Sequence, residues 1–373
     1  MESKVRVALI GFGAMGRNYA GMISAGMIPH MSLAVVCCRN TEGQKLLRER
    51  FRGVRICEKV EDLATCSDDF DAALIVTPHK THVPIGKQLA MLGKPILMDK
   101  PAGLSAGEVS ELAQLCRDQG VAFGMIFNNR MLPAFRVARQ MLREGTLGTL
   151  HRAVWVCNSW YRSPAYHVSA SWRSSWAGEG GGLLINQNVH YLDMWHWLFG
   201  MPDRVYAELQ FGRYNDFSVD DGADIQFSYD SGFHGTMVSA SGEAPGVNRL
   251  EIWGSRGRLV IEDGAKLYFD ENEVSTEEFA ATNRIPFGTI PHALREIRLV
   301  ACPNPYLEVF DNFARHLLTG EPLHADGTDG LRTAQLTNAA YISGWEGCRV
   351  SVPVDDRRYT EGLQSRIREE EET

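Results

Sequence analysis

Gly11-Phe12-Gly13-Ala14-Met15-Gly16 follows the apolar run Val5 to Ile10 and leads into a helical stretch. Glycines at these offsets, between a strand and a helix, restrict the fold more than any other feature of the chain. The first makes a tight turn, the second lets backbone approach a pyrophosphate, and the third lets the helix pack on the strand. The N–H groups at the start of such a helix face an anion. The chain is therefore expected to open with a doubly wound α/β domain that holds a dinucleotide on residues 11–16.

The chain beyond residue 16 agrees with that start. Short β-rich runs at residues 5–10, 33–38, 72–76, 95–98 and 121–126 are separated by helix-length segments, which implies βαβ units and a parallel sheet. From residue 149 the runs lengthen and alternate, at 151–157, 205–211, 223–229, 233–239 and 250–253. Turns at Asp230-Ser231-Gly232, Ser255-Arg256-Gly257 and Asp263-Gly264 mark an antiparallel meander. One helix is expected over residues 183–199, and two more over 306–318 and 330–345. The expected division is a Rossmann domain at 1–127 and, at 128–373, an α+β domain with an open, mostly antiparallel sheet, its last helices able to pack back on the first domain. The glutamates at 369–372 read as a frayed, solvated end.

Lys plus Arg number 38 against 46 Asp plus Glu, a net charge of −8, which argues against nucleic acid or an anionic membrane as partner. No apolar run approaches the roughly 18 residues of a membrane helix. Lys4 and Arg6 lead straight into a strand, unlike a signal peptide, so a cytoplasmic protein is expected. The eight cysteines form no Cys-x-x-Cys or Cys/His cluster, so no metal site is expected.

A dinucleotide domain for NAD usually carries an acid at the end of its second strand, yet no Asp or Glu lies between Ser3 and Thr41. The position reads Cys37-Cys38-Arg39-Asn40, and a guanidinium at Arg39 can pair with a 2′-phosphate, favouring NADP with NAD as the other possibility. Lys100, in Met98-Asp99-Lys100-Pro101, stands where an open α/β sheet places its ligand; it can exchange a proton with a substrate hydroxyl, or form an ordinary strand-end pair with Asp99. After Gly180-Gly181-Gly182, the residues Asn186, His190, Asp193 and Trp197 share one helical face. His190 can carry a proton or orient a hydroxyl, with Asn186 and Asp193 supporting it; a structural His190–Asp193 bond is the plainer alternative. Trp155, Trp160, Tyr161, Tyr166, Trp172 and Trp176 crowd one segment with Arg162, His167 and Arg173. Such rings suit the C–H faces of a sugar or cyclitol and the arginines its hydroxyls or an acid group, although most such clusters are core.

Residues 11–16, Thr77-Pro78-His79-Lys80-Thr81-His82, Asp99-Lys100-Pro101 and the segment 180–193 together resemble the glucose-fructose oxidoreductase / inositol dehydrogenase / rhizopine catabolism family of NAD(P)-dependent oxidoreductases. The resemblance covers nearly the whole chain. It implies hydride transfer between NADP(H) or NAD(H) and a secondary hydroxyl or ketone of a sugar, sugar derivative or cyclitol. The substrate site would lie between the two domains, in a homodimer or homotetramer built through the C-terminal sheet. It makes Lys100 catalytic, with His190 and Asn186, and adds Thr77, Pro78, His82 and Asp99 to the cofactor contacts beside Gly11, Phe12, Gly13, Ala14, Met15, Gly16, Cys38, Arg39 and Lys100. Asn128, Trp160, Tyr161, Arg162, Trp172, Asn186 and His190 become the substrate contacts. The family's Glu-Lys-Pro is Asp99-Lys100-Pro101 here, and its Asp-x-x-x-His is Asn186-Gln187-Asn188-Val189-His190, without the carboxylate; His79 stands where many members have Asn. The same resemblance leaves two alternatives, a redox-assisted glycoside hydrolase with tightly bound NAD(H) and a non-catalytic dinucleotide-binding regulator.

Overall fold

A computed structural model describes residues 3–372, which divide into two compact units. In the first, β1 (Val5–Ile10), β2 (Met31–Cys37), β3 (Arg55–Cys57), β4 (Ala72–Ile75), β5 (Ile96–Met98) and β6 (Phe123–Met125) form a sheet in the order β3-β2-β1-β4-β5-β6. Every pairing is parallel. Strands β4, β5 and β6 are buried on both faces, as Ala-Ala-Leu-Ile of β4 shows, which is why they read as continuous apolar runs rather than alternation. The order reverses between β1 and β4, and that switch is where an α/β sheet opens a crevice at its carboxyl ends.

The second unit holds a nine-stranded sheet of β7 (Leu150–Cys157), β8 (Arg204–Phe211), β9 (Asp220–Ser228), β10 (His234–Ala240), β11 (Asn248–Gly254), β12 (Gly257–Glu262), β13 (Lys266–Asn272), β14 (His292–Glu296) and β15 (Val350–Ser351). Its order is β14-β13-β12-β11-β7-β10-β9-β8-β15, antiparallel except for β7 beside β10. One face alternates into a core where Trp195 stacks on Phe227 at 4.3 Å between ring centres, a pairing that adds about 0.5–1.5 kcal/mol to the burial of the two rings. Among the described residues no helix is long and apolar enough to cross a membrane.

Several details depart from the sequence expectations. The first unit is made of two stretches of chain, since residues Asn304–Ala334 belong to it together with those up to Asn128. There the helix Pro305–Thr319 sets Tyr306 and Phe310 against Tyr19 at 5.5 and 4.9 Å, and Asp311 accepts from the backbone N–H of His30. The second strand runs Met31–Cys37, and just past its end Cys38 N–H still donates to Cys57 O of β3 at 2.9 Å. The helix expected over 183–199 is two, Leu183–Asn186 and Val189–Phe199. At the break Asn188 N–H reaches back five residues to Leu183 O, and His190 N–H only three to Gln187 O. Asparagine amides draw the chain aside here, since Asn188 donates to Ser239 and Asn186 to Glu179. The acidic tail does not fray. It ends the helix Asp356–Glu371, and Glu370 accepts the N–H groups of Trp176 and Ala177, both at 3.0 Å, and the Ser218 hydroxyl at 2.8 Å.

Candidate functional site

In the first unit the glycine loop follows β1. Gly11 has φ +100°, and a Cβ there would lie 2.4 Å from Val76 O; a Cβ on Gly16 would lie 2.1 Å from Gly11 O. Both positions admit only glycine. Gly13 faces open space and, with Ala14 and Met15, is exposed at the start of the helix Ala14–Ser24, whose first turn carries no acid. Backbone N–H groups are thus presented to an anion with no side chain in the way, which fits the pyrophosphate of a dinucleotide. Phe12 instead turns inward, edge-on to Phe51 at 6.0 Å. Beyond β2, Cys38 is buried, whereas Arg39 is exposed and makes no ion pair with any described residue.

Around β4 and β5 the chain builds a clasp. Thr81 Oγ1 donates to Pro78 O at 2.6 Å, while His82, fully buried, sets Nε2 2.7 Å from Thr77 O and Nδ1 2.7 Å from Pro101 O. Burial lowers its pKa, although both carbonyls favour the charged ring. His82 therefore ties the turn after β4 to the Lys100-Pro101 turn, and both ring nitrogens are spent on backbone. Asp99 accepts the backbone N–H of Lys100 at 2.9 Å and the Tyr19 hydroxyl at 3.3 Å. Burial raises the Asp99 carboxyl above its usual range, opposed by the nearby charge of Lys100. Lys100 thus sits at the end of β5 on a backbone gripped by two side chains. Asn128 is buried at the start of the short turn Asn128–Met131.

The second unit gathers a polar network ahead of the two short helices. A Cβ on Gly181 would lie 2.0 Å from Tyr341 Oη and one on Gly182 2.1 Å from Asp220 O, so these two glycines are steric, while Gly180 has φ +83°. Asp220 accepts the N–H groups of Gly182 and Leu184 at 2.8 and 2.7 Å and the Tyr341 hydroxyl at 2.7 Å. Burial raises its pKa and these donors oppose the rise. This pins the segment that carries Glu179 and Asn186. Glu179, 2% exposed, accepts Ser174 N–H at 2.7 Å and Asn186 Nδ2 at 2.5 Å. Tyr166 Oη receives Arg173 at 2.8 Å, Asn186 Nδ2 at 3.0 Å and Gln187 Nε2 at 3.2 Å. Both hydrogens of the Asn186 amide are thereby committed within the protein.

Of the other expected residues, His190 is half-buried with the Trp160 ring edge-on at 5.8 Å. Asp193 does not support it. Its carboxylate binds Arg130 through two bonds of 2.5 and 3.0 Å, with His196 at 3.4 Å, all in the core. Trp155 and Trp176 are also core; Trp176 lies 5.4 Å from Tyr341 and 5.8 Å from Trp345, so they line no substrate wall. Trp160, Arg162 and Trp172 are half-buried and Tyr161 is exposed. Sequence reasoning missed Glu179 and Gln187; a glutamate just before three glycines was the one available signal. Among the described residues no group of three His, Cys, Asp or Glu comes together to hold a metal.

Comparison with known proteins agrees with this architecture. An oxidoreductase family with an NAD-binding Rossmann fold matches residues 5–127, and the GFO/IDH/MocA C-terminal domain matches 135–260. The chain is 25% identical over 261 residues to trans-1,2-dihydrobenzene-1,2-diol dehydrogenase of Mus musculus, covering 69% of this chain and 74% of that one. It is 22% identical over 357 residues to inositol 2-dehydrogenase of Rhizobium meliloti, covering 93% and 99%. A levoglucosan dehydrogenase solved with NADH and levoglucosan superposes with a TM-score of 0.79 at 20% identity, over 94% of this chain and 100% of that one. With both halves matched in order, the chain belongs to the GFO/IDH/MocA family of nicotinamide-dinucleotide oxidoreductases.

Proposed function

We propose that the protein is an NADP(H)-preferring dehydrogenase of a secondary hydroxyl on a sugar, sugar derivative or cyclitol. The observation that carries this reading is Lys100, presented at the carboxyl end of β5 by Asp99 and the His82 clasp. Relatives act on an inositol and bind levoglucosan, which supports a polyhydroxylated substrate. The bound dinucleotide supplies the hydride acceptor or donor. Lys100 Nζ takes the proton from the substrate hydroxyl oxygen during oxidation and returns it during reduction. Asn186 Oδ1 accepts a hydrogen bond from a hydroxyl, fixed in that sense by Glu179, and His190 orients a second one. Exposed Arg39, with no acid from Ser3 to Thr41, favours a 2′-phosphate. We also propose self-association through the nine-stranded sheet.

The test is a screen of sugars, polyols and cyclitols with purified protein and each cofactor, following nicotinamide absorbance and free sugar together. One cofactor turned over per substrate supports the reading. Sugar release from a glycoside with no net absorbance change assigns the redox-assisted hydrolase instead, and silence across the panel with both cofactors bound assigns a regulator.

A further inference from the structure

Two arginines and a histidine surround the Tyr166 ring, and both guanidiniums have more donors than the acceptors around them. The Arg162 and Arg173 guanidiniums stand over that ring at 5.0 and 4.5 Å, and His167 packs on it at 5.3 Å. Arg162 Nε and Arg173 Nε are buried and have no hydrogen-bond partner among the described residues, whereas His167 sets Nδ1 2.6 Å from Ser174 Oγ and lies against the Arg162 backbone carbonyl. Arg162 gives one bond, to the backbone O of Tyr161, and no ion pair. Arg173 gives one to Tyr166 Oη and stands 3.8 Å from Glu179. Asp221, the carboxylate whose charge reaches His167, is occupied by the backbone N–H groups of residues 213, 214 and 215 at 2.7–3.2 Å. Buried guanidinium N–H groups left without acceptors are costly, and a ring beneath them holds their forks in a fixed plane.

We propose that this cluster is a subsite for a carboxylate on the substrate, so that the preferred substrates are sugar acids. A planar carboxylate supplies two acceptors to a fork of this kind. With Glu179 already beside Arg173, the pair has one guanidinium charge to meet, which suits a monoanion better than a phosphate. The inference deepens the dehydrogenase reading and rests on it for the site's being a substrate site.

The test uses matched pairs, D-glucuronate with D-glucose and D-galacturonate with D-galactose. Binding is read by calorimetry on the full chain with reduced cofactor, and hydride transfer is read in parallel. The acid of at least one pair should bind about tenfold to a hundredfold more tightly than its neutral partner, from one or two charge-assisted bonds. Arg162→Gln should lower that ratio by at least about tenfold and Arg162→Lys by less, both with wild-type circular dichroism. Equal affinity within every pair, no binding of any acid, or a ratio unmoved by Arg162→Gln overturns the subsite. Turnover of neutral sugars with no acid preference sinks the subsite and spares the dehydrogenase. Acid-selective binding without hydride transfer does the reverse.

Discussion

Replacing Glu179 by glutamine changes one atom and should reverse the hydrogen-bonding sense of Asn186. In the native chain one carboxylate oxygen accepts Ser174 N–H at 2.7 Å and the other accepts Asn186 Nδ2 at 2.5 Å. Glutamine has one acceptor and one donor on its amide. The Ser174 N–H belongs to the backbone and cannot turn, so it claims the acceptor. The glutamine NH2 then faces Asn186 Nδ2, donor against donor, in a place that water barely reaches. Asn186 relieves the clash by rotating its amide half a turn, giving Oδ1 to the introduced glutamine, while the Tyr166 hydroxyl can change from acceptor to donor. Asn186 then shows a donor where the proposed substrate contact needs an acceptor. Leaving a buried donor unsatisfied costs about 1–3 kcal/mol and the new neutral bond contributes about 1, so the turned form should win by ~2 kcal/mol or more. That corresponds to a loss in kcat/KM of about thirtyfold. The assay is steady-state turnover on the substrate found in the screen, with the thermal midpoint by circular dichroism as a check on folding. Asn186→Asp in the Glu179→Gln background should recover most of the loss, because an aspartate accepts from the glutamine amide and still offers an oxygen. Wild-type turnover in Glu179→Gln, or a double variant no better than the single one, would refute the reasoning.

Lys100→Ala should lower turnover by at least about a hundredfold while fluorescence titration shows cofactor affinity retained; near-normal turnover removes Lys100 from the chemistry. Arg39→Glu should cut the preference for NADPH over NADH by about tenfold or more in paired titrations, and an unchanged ratio places the 2′-phosphate elsewhere. Asp193→Ala strands the Arg130 charge, whose side chain is 2% exposed, and should lower the unfolding free energy by about 3–5 kcal/mol in urea. An unmoved midpoint would show that the pair is not buried in solution.

Much of the first unit was legible because local rules set it. Gly11 and Gly16 are required by steric contacts within one turn of chain, and β4 reveals its two-sided burial in four consecutive apolar residues. The partnerships of side chains were not legible. Asp193 lies three residues from His190, yet its carboxylate pairs with Arg130, 63 residues away, because the guanidinium is the group that can meet its charge in the core. Asn186 shows where the carboxylate implied by the resemblance is missing but not that Glu179, seven residues earlier, is its hydrogen-bond partner, since only the bend at Gly180 to Gly182 brings Glu179 to it. The same asparagines break a helix that apolar spacing alone draws as continuous.

The grip of Glu370 on Trp176, Ala177 and Ser218 makes this distal glutamate part of the support beneath Glu179. Those amides lie within three residues of Glu179. A stop codon at position 370 would spare every strand of both sheets and delete that clasp. A chain so shortened is expected to keep both sheets but to hold Glu179, and through it Asn186, less firmly, which on the proposed function would show as altered substrate choice.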